Sequence, residues 1–176
     1  ISVNCSAFCQ GISQVIDVIS ITQNRPELSG VYFKITNQGI ILAATDSFRL
    51  AEKTLLFANS GQTKNKIENN SEEYSFIVPP KILKELISIF LDKEGNLEIS
   101  LSKNQIGFEY KNKETPSLKI NLVSRLIEGN FPDYAAIIPK KFAAEVTFNR
   151  EEFLGALKLA GIFGSRAQGK ATPESD

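Results

Sequence analysis

The most constraining feature of this chain is a pattern that starts three times. Phe8, Leu83 and Phe153 hold equivalent places behind short strand-like runs, at separations of 75 and 70 residues, and Ile12, Ile87 and Leu157 echo them one helical turn later. Recurrence at a nearly fixed spacing is evidence about architecture before any motif is consulted. The first start is residues 1–4, alternating apolar and polar as a strand does. Ser6 is the expected helix cap, with Phe8, Ile12, Val15 and Ile16 as the buried stripe, continued by Val18 and Ile19. That helix should end before residues 22–26, where Pro26 disfavours helix in Arg25. Strands are predicted at 31–36, 40–45 and 48–56, with turns at Asn37-Gln38-Gly39 and Asp46-Ser47. Residues 59–73 are polar and Asn-rich and read as a long exposed loop.

The second start is a strand at 74–78, then Pro79-Pro80 opening a helix with Ile82, Leu83, Leu86, Ile87 and Phe90 on its inner side. Strands at 96–101, 106–110 and 118–123 follow, with turns at Lys103-Asn104 and 111–116. The third start is a strand at 144–148 and a helix capped by Asn149 with Glu152 three residues on, ending near Phe163 before a polar, frayed tail. The unit is therefore βαβββ. Two complete units, 1–58 and 74–124, make one pseudo-symmetric α+β domain over residues 1–140, antiparallel sheets with two helices packed on them. Residues 141–176 begin another domain. Opening at Ile1 and holding no Met, the chain reads as a piece of a longer polypeptide.

Composition then removes whole classes of chemistry. Without His there is no Ser-His-Asp or Cys-His machinery and no His metal ligand. Cys5 and Cys9 are too few for a four-Cys zinc site, and four residues apart on one helix they read as small buried side chains. Asp46, Glu128 and Asp133 could serve metal-dependent phosphoryl chemistry only as a cluster, and their contexts are those of turn formers. Glu151 and Glu152 suit a helix start. Gly161 and Gly164 lack the following Lys-Ser/Thr of a phosphate loop. No apolar run approaches the ~20 residues of a membrane span, and no charged-then-apolar leader opens the chain. Neither a cofactor nor a metal is expected. Twenty Lys and Arg balance twenty Asp and Glu, which argues against a generic nucleic-acid coat but leaves room for a local basic face.

Three stretches carry a family resemblance. Ala44-Thr45-Asp46-Ser47-Phe48-Arg49-Leu50-Ala51 is similar to a pattern A-T-D-x-x-R-L-A. Phe76-Ile77-Val78-Pro79-Pro80-Lys81 runs into an amphipathic helix. Leu126-Ile127-Glu128-Gly129-Asn130-Phe131-Pro132-Asp133-Tyr134 is similar to L-[IV]-[ED]-G-x-[FY]-P-[DN]-Y. Together they resemble the bacterial sliding clamp, the β subunit of DNA polymerase III, and their order and spacing fit the middle domain of the three-domain clamp, over about residues 1–163. The resemblance implies the DNA-clamp fold, cytoplasmic location, and a homodimeric ring around duplex DNA whose helices line the hole. Such a ring is not an enzyme. It tethers the replicative polymerase, and it docks the clamp loader and repair polymerases through a short linear motif.

The resemblance also implies sites. A partner-peptide cleft would take Leu28, Thr45, Ser47, Phe48, Arg49, Leu50, Pro132, Ala136 and Ile137 from this chain, with Leu28, Leu50, Pro132 and Ile137 as an apolar floor and Thr45, Ser47 and Arg49 as polar orienting groups. On chemistry alone Leu28 and Leu50 are as readily core, and Arg49 surface. Ala136 stands where some clamps carry Arg, and Phe48 where a smaller or polar side chain is common. The last domain supplies the rest of that cleft, so this chain alone, expected to be a monomer, should bind such peptides weakly or not at all. Duplex DNA would be met by Lys81, Lys84 and Arg25, with Thr22, Gln23 and Asn24 adding neutral phosphate hydrogen bonds. The plain alternative is that both lysines belong to a solvated helix face. Two other readings of the chain stay open: a generic protein-interaction module, and a small metal-dependent hydrolase using Asp46 and Asp133.

Overall fold

Asn4 sets the first helix. In the computed structural model, which describes residues 1–20, 24–57, 73–111 and 119–167, strand β1 (Ser2–Asn4) runs directly into helix α1 (Cys5–Ser13). The Asn4 side chain accepts the Ala7 N–H at 3.0 Å, so the cap is Asn4 and the predicted Ser6 lies inside the first turn. Asn is as good a cap as Ser, and from position 4 it reaches an orphan amide of this turn. The helix is also shorter than its stripe suggests. The Ser13 hydroxyl (2.8 Å) and the Gln14 N–H (3.2 Å) both donate to the Gln10 carbonyl, and Val15 N–H reaches back only to Ile12. Such competing bonds tighten and end the last turn. Ile16–Val18 then forms a separate 3-10 turn.

Strands β2 (Val31–Ile35), β3 (Gly39–Thr45), β4 (Leu50–Leu56) and β5 (Tyr74–Val78) form one antiparallel sheet in the order β4-β3-β2-β5. Helix α2 (Pro80–Phe90) follows, with a Pro in its first turn, where no amide partner is lost. Strands β6 (Asn96–Leu101), β7 (Gln105–Lys111) and β8 (Lys119–Arg125) complete a second sheet, ordered β1-β6-β7-β8. The two βαβββ units are present, but neither owns a sheet. β1 joins the strands of the second unit and β5 joins those of the first. Strand spacing encodes the elements, while pairing partners are a tertiary choice.

One core serves both sheets and both helices. Phe8, the fourth residue of α1, sits 6.2 Å from the Phe33 ring on β2 and 6.3 Å from the Phe108 ring on β7. Leu83, the fourth residue of α2, is fully buried with Leu86 and Phe90, whereas Ile87 is half-buried. Cys5 and Cys9 belong to this core, and the Cys9 thiol points at the Leu86 carbonyl at 3.6 Å. Burial, reinforced by the neighbouring Cys5, pushes the Cys9 thiol up to about 12, and burial raises Cys5 as well. The thiolate is the reactive form. Native Cys9 should therefore react with an aromatic disulfide roughly a thousandfold more slowly than in urea, from the rise from 9.0 to about 12 alone. Equal rates in the two states, measured by thiol release, would show that this helix opens freely.

These elements lie in one compact unit, Ile1–Pro132; Asp133–Asp176 is a second. Within the second, Tyr134–Ile137 is a 3-10 turn and helix α3 spans Arg150–Ala167. Asn149 caps α3, accepting the Glu151 N–H (2.9 Å) and Glu152 N–H (3.3 Å). Phe148 lies 4.1 Å ring to ring from Phe153 across that cap, the hydrophobic staple of a helix start. Residues 144–148 are not the predicted strand: no described strand pairs with them, and apolar alternation without a neighbouring edge makes no sheet. The helix passes the predicted end at Phe163, carried on by Arg166 and Ala167, both good helix formers. The loop predicted at 59–73, the turn at 111–116 and the tail fall mostly outside the described residues.

Candidate functional site

The turn between β3 and β4 is built almost wholly from the side chains it contains. Thr45 pairs with Leu50 at the strand ends. The Thr45 hydroxyl donates to the Arg49 carbonyl at 2.6 Å and accepts the Ser47 N–H at 3.1 Å. One Asp46 oxygen, Oδ1, accepts the N–H groups of Phe48 (3.0 Å) and Arg49 (2.8 Å). The other, Oδ2, accepts Nε (3.0 Å) and Nη2 (2.9 Å) of Arg49. Ser47 is driven to φ 77°, the left-handed region that L side chains other than Asn and Asp seldom adopt. The consequence is that Phe48, predicted to open a strand, stands on the turn with 96% of its surface exposed.

The same bonds control the charge of Asp46. The backbone N–H groups of Arg49 and Phe48, then the Arg49 guanidinium, hold its carboxyl down at about 2 against an ordinary 3.8. A depressed carboxyl stabilises the fold above its unfolded pKa and loses that contribution as pH falls through the folded one. Asp46→Asn should therefore flatten the stability profile between about pH 4 and about pH 2, because Asn cannot titrate. Thermal melts of the two proteins from pH 6 to pH 2 should converge at the acid end. A constant difference across that range would sever the link to this carboxylate.

Two further segments meet this end of the sheet. The 3-10 turn Pro26–Leu28 is tied by Leu28 N–H to the Arg25 carbonyl (3.0 Å) and by Ser20 N–H to the Leu28 carbonyl (2.9 Å). Leu28 itself is 2% exposed, so its side chain serves the interior. Beyond it Gly30 makes a close approach: a Cβ there would stand 2.7 Å from Ile127 Cδ1, Ile77 Cγ2 and the Val78 carbonyl. The stretch 126–132 meets the outer edge of β5 at one point, Ile127. Leu126 N–H donates to the Asn104 carbonyl and Ile127 N–H to the Ile77 carbonyl, each at 2.9 Å. Gly129, at φ 133°, passes Glu27 where a Cβ would lie 3.2 Å from that residue's own. Phe131 stacks on Tyr32 with centroids 4.8 Å apart.

The register explains the gathering. Val31 pairs with Val78 and Tyr32 with Ala43, so β2 begins at the end of the sheet where β3 and β5 finish. Leu28, Thr45, Ser47, Phe48, Arg49, Leu50 and Pro132 therefore collect there, Leu50 and Pro132 half-buried and Arg49 exposed. Ala136 and Ile137 belong to the second unit, in its 3-10 turn, and both are exposed. The sequence assigns no part in this arrangement to Gly30, Tyr32, Ile77 and Asn104, which hold it. The clue was the motif that begins at Leu126, whose first residues strap the edge of β5, and no spacing reveals that.

The candidate DNA contacts are more scattered. Lys81 and Lys84 are exposed on α2, opposite Ile82, Leu83 and Leu86, with Glu85 beside them. Arg25 pairs with Glu27 at 3.1 Å, and Asn24 is exposed. Thr22 and Gln23 lie outside the described residues. The exposed residues of α1, Ala7, Gln10 and Ser13, carry no charge. Among the described residues no group of three His, Cys, Asp or Glu could hold a metal ion, and no helix is long and apolar enough to cross a membrane.

Comparison with known proteins gives one consistent result. Residues 2–133 match the family described as DNA polymerase III beta subunit, central domain. The beta sliding clamps of Staphylococcus epidermidis and Staphylococcus aureus are each 32% identical over 151 residues, covering 86% of this chain and 36% of the relative. In structure the chain is similar to the DNA polymerase sliding clamp of Bacillus subtilis, with a TM-score of 0.75 and 28% identity, covering 91% of this chain and 38% of that one. The DNA polymerase III beta chain of Streptococcus pneumoniae gives 0.73 and 28%, covering 99% and 41%. The chain thus spans about 36% of the length of the curated relatives it matches.

Proposed function

The chain belongs to the DNA polymerase III beta subunit family, and on that premise we propose that it supplies the middle domain of a sliding clamp, residues 1–140, with 141–176 opening the last domain. In the whole protein the clamp closes as a homodimeric ring around duplex DNA in the cytoplasm and holds the replicative polymerase there. The observation that carries this reading is the match over 2–133 joined to the shared fold at a TM-score of 0.75. Tethering by a ring is not chemistry. It raises the local concentration of the polymerase at its primer without any new contact to the template. Asp46 fits that account as a structural residue, its four hydrogen bonds spent inside one turn. The hydrolase alternative lacks a carboxylate cluster among the described residues.

Ser47, Phe48, Arg49, Leu50 and Pro132 are the first unit's share of the peptide cleft, with Leu28 and Thr45 buried behind them as its support. Clamp loader and repair polymerases use the same cleft through a short linear motif. Lys81, Lys84 and Arg25, aided by Asn24, are the contacts to the duplex, with Thr22 and Gln23 as further candidates by sequence alone. A near-neutral surface suits that task, since strong phosphate contacts would brake sliding and weaken with salt. The test is topological. The full-length polypeptide carrying these residues, loaded on nicked circular duplex, should stay with the circle in high salt and leave when the circle is linearised. Retention on linear DNA, or loss from the circle as salt rises, would replace the ring by ordinary contact binding. Binding of motif peptides with no retention on the circle would favour the generic interaction module.

A further inference from the structure

The exchanged first strands say what each half of the first unit recognises. Residues 1–57 bring β1, α1, β2, β3 and β4, and residues 73–132 bring β5, α2, β6, β7 and β8. The opening strand of the first half is held by the second. Ile1 and Ile99 exchange hydrogen bonds at 2.8 and 2.7 Å, Ser2, Val3 and Asn4 pair with Glu98, Leu97 and Asn96, and the Cys5 N–H reaches the Gly95 carbonyl at 3.0 Å. The reciprocal seam runs from Val31 opposite Val78 to Ile35 opposite Tyr74. Between the seams Phe8 of the first half packs on Phe108 of the second, and the Cys9 thiol of the first meets the Leu86 carbonyl of the second.

We propose that the two halves are mutual partners, each a βαβββ unit whose binding site is a second such unit, and that the covalent link through residues 58–72 is dispensable for their recognition. This rests on strand pairing and core packing and is independent of the clamp reading. A half by itself would leave a sheet edge open, β2 in the first half and β6 in the second, with their backbone donors and acceptors unpaired. It would also bare one side of the shared core: Phe8, Ile12, Val31, Phe33 and Ile35 in the first half. The complementary half satisfies both: its first strand is the missing edge, and Phe108 and Phe76 of the second half pack on Phe8 and Phe33 of the first. The link contributes effective concentration and nothing to the contact itself.

The experiment places a site-specific protease sequence within residues 58–72 of the full chain and cleaves the folded protein. The two pieces should co-elute at the mass of the uncut chain. The melting temperature of the cut protein should rise with protein concentration, by roughly 5 °C per tenfold, while the uncut chain stays flat. After separation in urea, native circular dichroism should return only when both pieces are mixed. Separation of the pieces on cleavage, or refolding of either piece alone as a monomer, overturns the proposal. A second version with the site elsewhere in 58–72 guards against an insertion that itself unfolds the chain.

Discussion

Phe8→Ala is expected to cost about 3–5 kcal/mol, the range for truncating a fully buried Phe. The ring is 1% exposed and stands within 6.3 Å of one aromatic ring in each sheet, Phe33 on β2 and Phe108 on β7. Its removal opens a cavity where helix and both sheets meet, and neither sheet can close the gap without parting from the other. Domains of this size hold about 5–15 kcal/mol in all, so the loss takes a large share. Phe48→Ala is the control. That ring is 96% exposed, and the change should stay within about 0.5 kcal/mol. Urea unfolding followed by circular dichroism compares the two. A cost below about 1 kcal/mol at Phe8 would mean that the sheets do not share one core.

That contrast between two phenylalanines marks what the sequence could and could not reveal. Phe8 was legible because its neighbours recur at helical spacing and because Leu83 and Phe153 repeat its place; each is the fourth residue of its helix. Phe48 was misplaced into a strand because a polar-apolar run after Asp46-Ser47 carries the same local signal as a strand. What pulls it out is the Asp46 carboxylate taking its N–H together with that of Arg49. A similar competition between nearby caps moved the start of α1 from Ser6 to Asn4. Propensity ranks such residues alike, and reach decides between them.

The candidate site rests on resemblance, and the bonds that shape that end of the sheet were not legible in the sequence. Leu28 and Thr45 were named for a surface cleft, yet both side chains are buried, at 2% and 5% exposure. Thr45 uses its hydroxyl inside the turn. The exposed chemistry at this end of the sheet is Phe48 and the guanidinium of Arg49, the latter already engaged by Asp46. Strand exchange escaped the sequence for a different reason. β1 and β5 are first strands of their repeats, and either pairing, within a repeat or across, satisfies the same alternation of apolar residues. The crossed arrangement is the one in which a single core lies under both sheets and both helices.

Gly30→Ala is the second large effect, and it tests whether that end of the sheet is held by close packing. The new Cβ would lie 2.7 Å from two side-chain carbons, Ile127 Cδ1 and Ile77 Cγ2, and from the Val78 carbonyl oxygen. The two methyl groups can turn away. The carbonyl belongs to a strand paired through Val31 and cannot. Overpacking of this kind costs about 1–3 kcal/mol. The segment free to yield is the strap, because Ile127 meets the sheet as an isolated bridge, its N–H on the Ile77 carbonyl at 2.9 Å. The strain should therefore appear as local opening. Hydrogen exchange at the Ile127 amide should quicken roughly tenfold or more, each 1.4 kcal/mol being a factor of about ten, and by more than at Phe33 in the middle of β2. Uniform acceleration across the sheet would locate the cost in global stability instead. Unchanged exchange at Ile127 would show that the strap does not depend on the missing side chain of residue 30.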